Sequence, residues 1–159
     1  MKPIAVALMA LTMVTAGHAQ VSVKDAWVRA TVPQQKATGA FMQIVSAKDA
    51  RLVGALSPVA GVVEIHEMSM VNQVMHMRAV FGLELPAGKT VELRPGGYHV
   101  MLMDLKAQVK PDDLVPLMLV IEGRDGKRQN LDLQVPARAL GGVSSPASKN
   151  QGHQSNMKH

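Results

Sequence analysis

The chain has 159 residues, of which 47% are hydrophobic, 18% charged and only 3% aromatic, and it carries a formal net charge of +5. That apolar fraction supports one folded domain with a true core, and no repeat marks a fibre or a solenoid. Scattered basic residues with few aromatics describe a solvated surface and argue against nucleic acid as a partner, while the absence of cysteine excludes disulfide staples and the thiolate ligand of a blue-copper site.

The N-terminus is a short positive start at Lys2, an apolar run from Ile4 to Val14, and small residues at Ala16, Gly17 and Ala19. This is the pattern of a secretory signal peptide over residues 1–19, cleaved after Ala19. Removing Lys2 leaves 16 basic against 12 acidic residues, a charge of +4. No later segment approaches the roughly 20 apolar residues of a membrane helix. The expectation is a periplasmic protein with no membrane insertion.

Residues 20–140 read as one domain of short strands. Val21 to Ala30 is extended, Thr31 to Lys36 interrupts it, and strands follow over Gly39 to Val45, Leu52 to Leu56 and Val62 to Met68. Further strands are predicted over Val74 to Val80, Thr90 to Leu93, Tyr98 to Leu105, Leu114 to Glu122 and Asn130 to Val135, with one helical turn between Ala107 and Leu114. Gly and Pro punctuation every 8 to 12 residues predicts an all-β, antiparallel Greek-key sandwich or barrel. Residues 141–159, rich in Ser, Asn, Gln, Gly and Lys, read as a disordered tail.

Chemistry concentrates in two stretches. Three of the twelve methionines belong to the signal peptide; of the nine that remain, six (Met68, Met70, Met75, Met77, Met101 and Met103) fall within 36 residues, together with His76 and His99 and just after His66. If Asn72 and Gln73 form a two-residue turn, antiparallel pairing sets Met70 opposite Met75 and Met68 opposite Met77, with His66 on the same face and diagonal to Met77. A type I′ turn would force Gln73 to positive φ, which predicts a looser hairpin or another turn. Pro95-Gly96 predicts a type II turn feeding a strand that carries His99, Met101 and Met103 on one face. Methionine in strands is usually core filler, and Met42, Met103 and Met118 are read so. The crowding of thioethers and imidazoles is different: sulfur ethers are soft and uncharged, and this donor set selects Cu(I) over zinc, magnesium or calcium. If the two stretches abut, His66, Met77, His99 and Met101 form a two-nitrogen, two-sulfur site, with Met68 and Met70 as open alternatives.

The spacing His66, ten residues, Met77, twenty-one residues, His99, one residue, Met101 resembles the periplasmic copper chaperones known as PCuAC, the DUF461 group. So do Asp25 to Pro33, Ala37 to Met42 and Pro95 to Met103. The resemblance implies a cupredoxin-like fold that binds one Cu(I) through His66, Met77, His99 and Met101. It further implies delivery to the copper-centre subunit of cytochrome c oxidase, alongside a thioredoxin-like copper chaperone. Some members carry a His/Met-rich tail that binds Cu(II), and His153, Met157 and His159 are the matching candidates here. No nucleophile motif or phosphate loop stands out, so the expectation is a protein that is not an enzyme. Copper sequestration without dedicated delivery is the alternative.

Overall fold

The computed structural model describes residues 20–139, so the predicted signal peptide and tail, including His153, Met157 and His159, lie outside the described residues. Ten strands make up the domain: β1 (Val21–Arg29), β2 (Ala37–Ser46), β3 (Ala50–Leu56), β4 (Ala60–Val71), β5 (Val74–Ala79), β6 (Leu83–Leu85), β7 (Thr90–Leu93), β8 (Tyr98–Leu105), β9 (Leu114–Gly123) and β10 (Arg128–Arg138). All nine predicted strands are present, and β6 is the one that periodicity missed. Three residues are too few to show alternation, although Leu83 and Leu85 are buried on either side of exposed Glu84.

The strands lie in the order β5-β4-β8-β2-β1-β10-β9-β3-β6, with β7 also pairing β2. Every pairing is antiparallel except one. β1 runs parallel to β10 at Val28↔Ala137 and Arg29↔Arg138, which joins the β5-to-β1 layer to the β10-to-β6 layer. The purely antiparallel expectation fails there because β1 serves two neighbours: it pairs β2 along its length, with a bulge between Lys24 and Trp27, and only its end meets β10.

Between the layers lies a single core. Ile44, Val100 and Leu102 from one side meet Leu52, Leu119 and Val135 from the other, all essentially free of solvent; each such side chain contributes about 1.5–3 kcal/mol relative to leaving it exposed. Met42 is core filler as predicted, but Met103 and Met118 are only half-buried and outside that cluster.

The helical turn predicted after Ala107 does not form. Pro111 disfavours helical geometry at Lys110, and Val109 is pulled inward as a latch on the first long loop. Its carbonyl accepts from the Thr31 amide at 2.7 Å and its amide donates to Thr31 Oγ1 at 2.9 Å.

Candidate metal centre

β8 packs one face into the core and offers the other to the candidate site. Val100 and Leu102 enter the core, which sets His99, Met101 and Met103 on the opposite face, where His99 is buried and the two methionines are half-buried. Its start is set by the Arg94 to Gly97 turn, where Gly96 sits at φ 83° and the Gly97 amide donates to the Arg94 carbonyl at 3.0 Å. This is the type II geometry that Pro95-Gly96 predicted.

β4 lies against β8 with His66 directly opposite His99 and Glu64 opposite Met101. On the other side of β4, Met68 faces Met77 and Met70 faces Met75, so the predicted hairpin register is the observed one. The looser turn expected from Gln73 is not found: Asn72 and Gln73 stand at φ 50° and 64°, both in the left-handed region a type I′ turn requires. The cross-strand ladder on both strands holds Gln73 in a conformation it would not choose alone.

The four predicted residues thus come from three adjacent strands and share one face. Met77, His99 and Met101 border a cleft of about 360 Å³, together with Met68, Arg29, Gly39 and Phe41. His66 stands beside that wall, its ring edge-on to His99 with centroids 5.8 Å apart. Met70 is 68% exposed and lies outside the cleft.

Each imidazole has one nitrogen committed and one left over. His99 Nδ1 donates to the Gly97 carbonyl at 3.1 Å, which leaves Nε2 with the lone pair. His66 Nε2 lies 2.8 Å from the Glu64 carboxylate, and its Nδ1 is buried with no hydrogen-bond partner. A histidine that donates one N–H to a carbonyl or carboxylate and turns its other nitrogen toward nothing has the arrangement of a metal ligand. Burial, reinforced by the nearby His66 and Arg29, holds the His99 pKa below its ordinary value despite the Gly97 hydrogen bond, so the ring is neutral and able to ligate at pH 7.

Among the described residues no three His, Cys, Asp or Glu side chains gather as a metal site would require. An ion held here therefore draws on thioethers. A larger cleft at the β3, β6 and β9 edge is lined by Asp49, Arg51, Glu84 and Arg124, which form the ion pairs Arg51–Glu84 and Arg124–Asp49.

Sequence reasoning missed Glu64 as the partner of His66, although it heads the same stretch. Gly39 and Phe41 were also missed as site residues. A Cβ on Gly39 would lie 2.9 Å from the Phe41 ring, so the glycine exists to let that ring cover it. Phe41 in turn packs against Trp27 at 4.6 Å and His99 at 6.1 Å. A glycine inside a strand is the available signal for such a close approach.

The architecture is that of known domains. The chain is similar to the apo PCuAC domain from PmoF1 (TM-score 0.59, 21% identity, covering 75% of this chain and 95% of that one) and to the copper-bound PCuAC domain from PmoF2 (TM-score 0.57, 21%, 75% and 94%). It is also similar to CuI-DR1885 from Deinococcus radiodurans (TM-score 0.56, 30%, 80% and 83%). The fold is all-β and cupredoxin-like.

Within that class the chain belongs to the LpqE-like family, described as "Putative lipoprotein LpqE-like", which it matches over residues 21–137. It is 35% identical over 100 residues to "Putative lipoprotein Lxx21020" of Leifsonia xyli subsp. xyli, a match that covers 62% of this chain and 60% of that relative.

Proposed function

We propose that this chain is an exported copper chaperone of the PCuAC type, the DUF461 group, that carries Cu(I) in the cleft at the root of the β4–β5 hairpin. The single observation that carries the reading is the pair of facing imidazoles, each with one nitrogen anchored and one free, beside the sulfurs of Met77 and Met101. His66 Nδ1 and His99 Nε2 supply nitrogen; Met77 and Met101 supply soft, neutral sulfur. Together they hold a monovalent ion without adding charge, and the site discriminates against hard divalent cations. Copper appears in the names of two of the similar structures, which supports the assignment.

Carriage rather than catalysis follows from the donors. Met77 is 46% exposed, so one ligand stands where a recipient can displace it. Release needs only ligand exchange, with copper remaining Cu(I). The proposed recipients are the copper-centre subunit of cytochrome c oxidase and a thioredoxin-like copper chaperone, in the periplasm. The lipoprotein family name fits export. His153, Met157 and His159 are proposed as a second, Cu(II)-binding site; Cu(II) uptake that is unchanged after deletion of Gly142 to His159 argues against it.

The test is a Cu(I) titration against a chromophoric chelator. One tight equivalent is expected in the domain, weakened by Met77→Leu and Met101→Leu, which keep volume and remove sulfur. Affinity unchanged from the native chain in both variants contradicts the reading. Poor oxidase assembly at low copper in a deletion strain supports delivery, whereas copper sensitivity alone supports sequestration.

A further inference from the structure

The β4–β5 hairpin outruns the sheet. β8 stops pairing with β4 at Glu67↔Tyr98, and one last hydrogen bond joins the Met68 amide to the Gly97 carbonyl at 3.1 Å. From Ser69 to His76 the two strands have only each other, and β5 ends the strand order. Glu67 and Arg78 clamp the root of this arm through hydrogen bonds of 2.9 and 2.5 Å.

The two faces of the arm differ. One bears Glu67, Ser69, His76 and Arg78, with the exposed pair Val71↔Val74 next to the turn. The other bears two directly opposed methionine pairs, Met68↔Met77 and Met70↔Met75, and every methionine of the hairpin. Core packing does not explain the outer pair: Met70 is 68% exposed and Met75 48%. Opposed residues have Cβ atoms about 4.5–5.5 Å apart, so both sulfurs reach one ion between them. Met68 and Met77, one step inward, border the cleft already described.

We infer that Met70 and Met75 form an outer soft-cation site at the tip of the arm, separate from the His66, Met77, His99 and Met101 site and continuous with it through Met68 and Met77. It takes monovalent, thioether-preferring ions, Cu(I) or Ag(I), by coordination alone: sulfur lone pairs replace solvent, and nothing is oxidised or reduced. Lacking an imidazole, it binds more weakly than the inner site. The inference extends the copper reading, and the experiment separates the two.

The full chain, labelled with ¹³C at the methionine methyls, is titrated with Ag(I). The first equivalent is expected to move Met77 and Met101, and further Ag(I) to move Met70 and Met75; Met157 reports the tail separately. In Met70→Leu/Met75→Leu, exposed apolar surface remains but sulfur is gone, so the first event persists and the outer one is lost. Met70 and Met75 methyls that stay fixed at large excess of Ag(I) overturn the inference, as does unaltered outer binding in the double variant. If Met70 and Met75 respond while Met77 and Met101 never do, the outer site stands and the inner reading falls.

Discussion

Gly39→Ala isolates the packing that positions His99. The new methyl would sit 2.9 Å from Phe41 Cζ and 3.4 Å from Cε2, whereas carbon atoms rest about 3.5–4.0 Å apart. Phe41 is 4% exposed and packs against both Trp27 and His99, so a shift of the ring disturbs that stack. Overpacking of this kind costs about 1–3 kcal/mol, and removing a strand glycine returns about 0.5–1 kcal/mol. The net loss is at most about 2.5 kcal/mol, or a drop of up to about 10 °C in Tm for a domain of this size. Thermal unfolding of the apo protein by circular dichroism reads it. In a Phe41→Leu background the obstacle is gone, and the same Gly39→Ala change becomes neutral or stabilising. An equal loss in both backgrounds would mean the two positions are independent and would refute the reasoning.

Other outcomes follow from single contacts. Because burial lowers the His99 pKa, the unfolded chain, with its ordinary value near 6.5, takes up a proton first as pH falls; apo stability from this group is complete above about pH 6.5 and is lost below it. Melting of the apo protein at pH 7.5 and 5.5 checks the sign, and Cu(I) affinity should be flat above that pH and decline beneath it. Glu64→Ala removes the carboxylate beside His66 Nε2 and should weaken Cu(I) about tenfold, the low end for an outer-shell partner, since Glu64 is part-exposed; a chelator competition that shows no change argues against it. Gln73→Gly relieves a non-glycine residue at φ 64° and should raise Tm by up to about 4 °C, the equivalent of about 1 kcal/mol.

Much of this was legible because strands advertise themselves locally. The 2-residue period of β8, the Pro95-Gly96 turn and a two-residue loop at Asn72-Gln73 indicated which side chains share a face within each stretch; that the stretches abut, which groups His66, Met77, His99 and Met101, is seen in the pairing of β4 with β8. What stayed hidden depends on contacts between distant segments. The parallel join of β1 to β10 has no sequence period of its own. The Val109 latch needs Thr31, 78 residues away, to replace a helical turn with an extended bridge. Phe41 over Gly39 and Glu64 beside His66 are neighbours on a folded surface, invisible to motif spacing until the register of β2, β4 and β8 is known.

X-ray absorption at the copper edge of the Cu(I)-loaded protein tests the central claim most directly. Two nitrogen and two sulfur neighbours are the expected shell. A shell of nitrogen and oxygen without sulfur would contradict it.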